Sequence, residues 1–194
     1  NLFVLAACDE GIRLFDFKKG KLIKYFDEPV YSSYVDDICL LSSGNSTQIE
    51  NGLQPCEWNE SYLLTRGVEL IQSEEVPQPI HPNTITLHKL TYQANEEEES
   101  SKGGEWKLTT LFKYSHPCYL SNSWYIKFAT TSRYVFAPTS DGKIFIFSLC
   151  TGQLCGVLSE HEAVEIRQVL AHPTQPLLFS CSDDGNINVY GYSN

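Results

Sequence analysis

A seven-residue pattern that occurs three times limits the possible folds of this chain more than any other feature. It has the form Asp-x-x-Ile-x-apolar-aromatic, and its copies begin at Asp9, Asp141 and Asp184. Each copy places a turn residue before a short run of β-branched or aromatic residues, which is typical of a β-hairpin. Helical periodicity is nearly absent elsewhere. The sequence therefore predicts an all-β fold built from repeated hairpins.

Charge and hydropathy exclude two classes of partner. The chain has 194 residues with 24 acidic and 14 basic side chains, so its net charge is −10. This balance argues against direct binding to nucleic acid and favours basic partners such as Lys- and Arg-rich peptides. No apolar run reaches the roughly 20 residues that span a bilayer, so we expect no membrane insertion. Because the chain lacks methionine and begins inside an apolar run, we expect it to be part of a longer protein.

The motifs for catalysis, cofactor binding and metal binding are missing from the sequence. We find no glycine-rich phosphate loop, no nucleophile elbow and no His-Glu-x-x-His pair. The seven cysteines are scattered and contain no Cys-x-x-Cys pair, which favours reduced thiols inside a cell over disulfides or a metal site. The sequence predicts a protein that is not an enzyme and that has neither cofactor nor metal.

The repeated pattern resembles the hairpin between the second and third strands of a WD repeat. Asp141 and Asp184 lie 43 residues apart, within the WD period of about 40 to 45 residues. His161 lies 23 residues before Asp184 and His116 lies 25 before Asp141, where the family places a histidine that bonds to the turn aspartate. The resemblance implies a WD-repeat β-propeller, with Asp9, Asp141, Asp184, His116 and His161 as structural turn residues.

Strand signals divide the chain into about half of such a propeller. A degenerate copy of the pattern begins at Asn83, where Pro82 replaces the turn aspartate. The acidic run at 96–99 is expected to be a solvated loop tip. The predicted blades are a part blade at 1–30, a full blade at 34–113 with insertions at 67–82 and 95–105, a full blade at 121–159, and a part blade at 161–194.

Four short strings resemble one particular family of propellers. They are Tyr34-Val35-Asp36, Trp124-Tyr125-Ile126-Lys127-Phe128, Gly142-Lys143-Ile144 and Ile166-Arg167-Gln168. In this order they resemble the C-terminal half of the ESC/EED family, the propeller subunit of Polycomb repressive complex 2. The most specific part of the resemblance is the stretch from Tyr114 to Phe128, an aromatic residue and a short polar spacer followed by the second string.

This resemblance implies a nuclear, non-catalytic chromatin protein that acts in transcription repression. Such a protein binds trimethyl-lysine of the histone H3 tail in an aromatic cage and supports a separate SET-domain methyltransferase and the other Polycomb subunits. Trp124 and Tyr125 match two cage positions, and the other cage aromatics lie in blades outside this chain. Lys127 and Arg167 match basic positions that line the same peptide channel.

A second interpretation remains open from the residues themselves. The chain is then a generic WD-repeat scaffold, for instance a substrate receptor of a ubiquitin ligase, with the insertions at 67–82 and 95–105 as contact surfaces. In that case Trp124 packs between blades and Tyr125 caps a strand. A scaffold of this kind predicts no dependence of binding on lysine methylation.

Overall fold

The computed structural model describes residues 3–8, 11–26, 30–41, 60–94 and 104–191. All regular secondary structure in these ranges is β, and it comprises fourteen strands in four antiparallel sheets. None of these ranges contains a helix of the length and apolar character that crossing a membrane requires.

The first two sheets are meanders in which consecutive strands pair. In the first sheet, Ile12 and Leu14 point into the core while Arg13 and Phe15 are only partly buried, as the alternation of the repeated pattern predicts. Asp9, the expected turn residue of this sheet, lies outside the described residues. The strands of these two sheets are β1 (Phe3–Cys8), β2 (Gly11–Asp16), β3 (Lys21–Phe26), β4 (Tyr34–Leu41), β5 (Glu60–Val68), β6 (Ile85–Ala94) and β7 (Gly104–Tyr114).

The third and fourth sheets have the same meander order. The turn before β10 contains Gly142 at φ +83°, and a Cβ there would lie 2.0 Å from the Glu162 carbonyl oxygen. Only glycine can therefore occupy this turn without moving the neighbouring sheet. The strands are β8 (Ala129–Thr130), β9 (Tyr134–Pro138), β10 (Ile144–Ser148), β11 (Leu154–Leu158), β12 (Ile166–Ala171), β13 (Leu177–Ser182) and β14 (Ile187–Gly191).

The apolar core lies between consecutive sheets rather than within any one of them. Leu64 and Leu87 of the second sheet pack in one cluster with Phe145 and Phe147 of the third. A further cluster joins Ile144 of the third sheet to residues of the fourth sheet, including Ile166 and Val169. Because each cluster needs two sheets, the sheets stack face to face around a common centre, as propeller blades do.

The first strands of the second, third and fourth sheets begin close together at one end of the molecule. Lys127 N–H donates to Arg167 O at 2.8 Å, and Val169 N–H donates to Lys127 O at 3.2 Å, in a parallel bridge. Phe128 N–H donates to the carboxylate of Asp37 at 3.2 Å. We call this end the mouth and define it by residues 34–37, 121–127 and 165–167.

Candidate functional site

Two aromatic side chains at the mouth face solvent. Trp124 is 58% exposed and Tyr125 is 72% exposed. The Trp124 ring contacts Tyr34 edge to face, with 6.3 Å between ring centroids. Tyr125 has φ +59° and is the one residue other than glycine in the described ranges with a positive φ. A left-handed tyrosine costs roughly 1 kcal/mol, and such strain persists where the surrounding structure holds the chain in place.

A buried arginine of the second sheet holds the segment that precedes these aromatics. Arg66 is fully buried and ion-pairs with Asp36. It also donates to the carbonyl oxygens of Ser121 and Ser123, the latter at 2.6 Å. Asp36 can reach Arg66 because the β4–β5 register shifts between Val35 and Asp37, which leaves Asp36 at a bulge. The ion pair therefore fixes the segment that leads to Trp124.

A second set of contacts joins the same segment to the residue after β5. The side-chain amide of Asn122 donates to Glu69 O at 3.1 Å, and its oxygen accepts from Glu69 N–H at 2.8 Å. The carboxylate of Glu69 in turn accepts a hydrogen bond from Ser32 N–H at 2.8 Å. Residues 32, 69 and 122 thus form one hydrogen-bonded unit beside the aromatic pair.

Arg167 holds the aromatic pair from the side of the fourth sheet. Its guanidinium donates to Trp124 O at 3.0 Å and to the carboxylate of Asp183 at 2.9 Å, and it ion-pairs with Glu165. Hydrogen bonding to Asp183 raises the pKa of Arg167, and the same bond holds the pKa of Asp183 below its ordinary value. Trp124 and Tyr125 are therefore held between Arg66 on one side and Arg167 on the other.

Lys127, expected to line a peptide channel, has an ammonium that already has partners in this chain. It donates to Asp36 O at 2.5 Å and lies 3.5 Å from the carboxylate of Asp37. Burial raises the pKa of Asp37, while the charge of Lys127 opposes that shift. Lys127 and Arg167 thus bond to carbonyls and carboxylates of their own chain, which indicates that they position the mouth.

In the fourth sheet the structure brings His161 and Asp184 together. His161 Nδ1 lies 2.7 Å from the Asp184 carboxylate, and its Nε2 lies 2.7 Å from Ser180 Oγ. Ser180 Oγ donates to the hydroxyl of Tyr190 at 3.4 Å. Loss of hydration raises the pKa of Asp184, but hydrogen bonds from Asn186 N–H and from His161 outweigh this effect. The pKa of Asp184 therefore lies below its ordinary value. This chain of four side chains joins the β13–β14 turn to the loop before β12.

The corresponding pair in the third sheet is a correction to the sequence analysis. His116 Nδ1 accepts a hydrogen bond from Cys118 N–H at 3.1 Å, and its ring packs 5.4 Å from that of Phe145. Asp141 accepts from Thr139 Oγ1 at 2.6 Å and ion-pairs with Lys143. Both side chains are described, and their bonds run to other residues. The tight turn at His116 directs the ring to Phe145, and Lys143 offers Asp141 a closer partner.

The second sheet contains a buried histidine to which the sequence analysis gave no role. His88 Nε2 lies 2.9 Å from Thr65 Oγ1, and its Nδ1 lies 3.1 Å from Thr110 Oγ1. Burial, with a smaller contribution from Lys113, lowers the pKa of His88 to about 4. The degenerate repeat at 83–88 contained this residue and was the one available signal for it.

The chemistry that the mouth offers is aromatic and electrostatic. No group of three or more His, Cys, Asp or Glu side chains in the described ranges could hold a metal ion. The exposed groups are the faces of Trp124 and Tyr125, whereas the charged groups nearby are paired with one another. Such a surface suits a cationic side chain that does not need hydrogen bonds.

Comparison with known proteins identifies the repeat and two plant relatives. Residues 152–191 match the WD domain, G-beta repeat family. The chain is 30% identical over 109 residues to a LEC14B homolog of Prunus armeniaca, which covers 56% of this chain and 20% of that protein. It is 32% identical over 89 residues to the LEC14B protein of Lithospermum erythrorhizon, covering 46% of this chain and 17% of that protein. The matched part is thus about a fifth of each relative's length.

Solved structures support the fold. The β-propeller domain of Cps50 (Swd1) from Myceliophteria thermophila superposes with a TM-score of 0.62 at 16% identity, covering 98% of this chain and 50% of that one. The computationally designed Ika4 protein superposes with a TM-score of 0.58 at 14% identity, covering 98% and 86%. The fold is a WD-repeat β-propeller, as the sequence predicted. Propellers of this class are typically non-catalytic scaffolds for protein interactions.

Proposed function

We propose that the mouth binds a lysine side chain of a basic peptide, that it prefers the trimethylated form, and that the protein is a non-catalytic reader. The observation that supports this most directly is the exposure of Trp124 and Tyr125, which are adjacent and belong to a segment held from both sides. Left-handed backbone at Tyr125 adds support, because strain of this kind clusters at functional sites.

The chemistry of trimethyl-lysine explains the preference. A quaternary ammonium can neither donate nor accept ordinary hydrogen bonds, so it gains little from the paired carboxylates at the mouth. Aromatic faces attract it through their quadrupole, at about 0.5 to 2 kcal/mol per contact. The net charge of −10 favours the approach of a basic peptide and raises its rate of association.

The proposed partners rest on the resemblance of the four strings to the ESC/EED family. They are the histone H3 tail, a SET-domain methyltransferase and the other Polycomb subunits, in the nucleus. In that assembly the protein positions and stimulates the methyltransferase without catalysing the transfer. Stimulation requires that the tail bind the active arrangement of the complex more tightly than the inactive one.

Calorimetric titration of the full-length protein tests the proposal. We expect a trimethyl-lysine H3 peptide to bind more tightly than the unmodified peptide. Trp124→Ala or Tyr125→Ala should weaken the methylated complex about five- to thirtyfold, which corresponds to about 1 to 2 kcal/mol. Phe17→Ala is the matched control because Phe17 is 63% exposed and lies in the β2–β3 turn, outside the mouth. It should leave both affinities unchanged.

The second candidate is a scaffold that recognises proteins without regard to methylation. The observation that favours it is the set of exposed apolar side chains between β5 and β6, which includes Ile71 and Val76. Equal binding of methylated and unmodified peptides by the wild-type protein would support this candidate and overturn the reader. A Trp124→Ala variant with a lower melting temperature and an unchanged preference for the methylated peptide would show that Trp124 supports the fold and does not bind the lysine.

A further inference from the structure

Residues 69–84, which connect β5 to β6, form an ordered hairpin that we call the finger. Ile80 N–H donates to Leu70 O at 2.9 Å, and Gln72 N–H donates to Gln78 O at 2.9 Å. An antiparallel bridge pairs Ile71 with Pro79 between these two bonds. Because its backbone is paired, the finger presents its side chains in a defined arrangement.

The finger exposes several apolar side chains to solvent. Four large aliphatic side chains are between 43% and 60% exposed: Leu70, Ile71, Val76 and Ile80. Leu70 and Ile80 are paired at the base of the finger, and Val76 lies near its tip. Single exposed apolar residues are common on protein surfaces, but Leu70 and Ile80 lie opposite each other in the hairpin and so form one apolar surface.

The base of the finger is joined to the mouth. Glu69 is hydrogen-bonded through both its backbone N–H and its carbonyl to Asn122, two residues before Trp124. Leu70 N–H donates to Ser32 Oγ at 2.8 Å, two residues before Tyr34, whose ring contacts Trp124. The exposed Leu70 therefore directly follows a residue that is bonded to the segment carrying the aromatic pair.

The charge of the finger matches a basic peptide. The Glu69 carboxylate is buried, but the exposed Glu74 and Glu75 carry negative charge near the tip, and there is neither lysine nor arginine between residues 69 and 84. An aliphatic side chain of such a peptide can pack on Leu70 and Ile80 while the peptide's positive charges remain near these carboxylates. Complementary charge and an apolar contact thus point to the same kind of occupant.

We propose that the base of the finger, Leu70 with Ile80, is a second subsite for the same basic peptide. It binds one aliphatic side chain close to the bound lysine in sequence, since Leu70 directly follows Glu69, whose backbone is bonded to Asn122 beside Trp124. This inference rests on the proposed function, because the lysine at Trp124 and Tyr125 sets the position of the peptide. It adds sequence selectivity to a site that otherwise recognises only the modified side chain.

A peptide series tests this inference on the full-length protein. Each basic peptide contains one trimethyl-lysine and a single leucine. The leucine occupies in turn each of the four positions on either side of the trimethyl-lysine, and serine occupies the other positions of this window. We expect leucine at one position to raise affinity about fivefold over the all-serine peptide. Leu70→Ser and Ile80→Ser should each abolish this gain while retaining the preference for methylated over unmodified peptide.

Val76→Ser is the matched control, because it removes another exposed aliphatic side chain of the same finger, near its tip. It should keep the gain from leucine. The inference is wrong if leucine raises affinity at no position, or if the gain survives in Leu70→Ser and Ile80→Ser. Loss of the gain in Val76→Ser would also overturn the assignment to the base. Equal binding of methylated and unmodified peptides by the wild type would instead overturn the proposed function.

Discussion

The second and fourth sheets each hold one histidine and one arginine through hydrogen bonds, but the partners of these side chains differ. Each contains a histidine with two side-chain partners: His88 of β6 lies between two threonine hydroxyls, whereas His161, in the loop before β12, lies between a carboxylate and a serine hydroxyl. Each also directs an arginine to the segment before or at Trp124. Arg66 does so from a fully buried position, whereas the Arg167 side chain is 36% exposed.

The two arginines differ in how their charge is compensated. Arg66 is compensated entirely by buried protein groups, whereas Arg167 is compensated partly by water and partly by carboxylates at the surface. Arg66 has no access to water, so its ion pair with Asp36 and its bonds to carbonyls must replace all of its hydration. Arg167 keeps part of its hydration and ion-pairs with Asp183 and Glu165 at the surface. The two arginines hold the same segment, but we expect their loss to have very different consequences.

The largest expected effect comes from removing the buried cation. Arg66→Ala leaves Asp36 buried without a partner and should lower the free energy of unfolding by about 3 to 5 kcal/mol. Arg167→Ala removes a partly exposed pair and should cost about 1 kcal/mol or less. Denaturant unfolding of the full-length protein, with both variants compared to wild type, measures the two values.

A double variant distinguishes the cost of leaving Asp36 buried without its partner from the net contribution of the ion pair to stability. Arg66→Met combined with Asp36→Leu removes both charges, so it should be more stable than Arg66→Ala. Equal losses in Arg66→Ala and Arg167→Ala would contradict the distinction between the two sheets.

His88 and Asp184 should make the stability of the two sheets depend on pH in different ranges. The pKa of His88 is lowered to about 4 in the folded protein from an ordinary value of 6.5, so the unfolded chain takes up the proton first. Stability is complete above pH 6.5 and should fall by about 3 kcal/mol as pH drops from 6.5 to 4. Thermal unfolding across this range, compared with His88→Gln, isolates the contribution, because the variant lacks that slope.

The fourth sheet should respond in a lower pH range. The pKa of Asp184 lies below its ordinary value of 3.8, so its contribution is present above about pH 4 and is lost below it. Replacement by Asp184→Asn should therefore leave the slope between pH 6.5 and 4 intact. A variant that removed that slope would show that the two networks are not independent.

The smallest expected effect concerns the residue that both arginines help to hold. Tyr125→Gly relieves a left-handed backbone and gives up little buried surface, since Tyr125 is 72% exposed. The variant should be more stable by up to about 1 kcal/mol, while its affinity for the methylated peptide falls. Parallel unfolding and titration measurements check both directions. Lower stability in Tyr125→Gly would mean that the ring supports the fold.

Much of the fold could be predicted because the repeated pattern is local. Its three copies correspond to β2, β10 and β14. The isoleucine of the pattern is fully buried in the first two, at Ile12 and Ile144, but in the last strand Ile187 is exposed. The pairing of His161 with Asp184 could also be predicted, because the resemblance to WD repeats implies a histidine bonded to the turn aspartate at this spacing. His116 failed because the spacing alone does not determine which way its ring turns.

The contacts that organise the mouth could not be predicted from spacing. Arg66 and Asp36 are 30 residues apart, and they meet only because a bulge in β4 changes the direction of the Asp36 side chain. Thr65, His88 and Thr110 belong to three neighbouring strands, so their association depends on strand register. The exposure of Trp124 and Tyr125 depends in turn on these contacts.

The parallel bridge between the third and fourth sheets offers a probe of how firmly these sheets are joined at the mouth. The amide protons of Lys127 and Val169 are bonded across the boundary between sheets, so they exchange with solvent only when the two sheets separate. The second and third sheets meet at the mouth through side chains such as Arg66 and Asn122. Exchange at the amides of Lys127 and Val169 therefore measures how often the third and fourth sheets separate at the mouth.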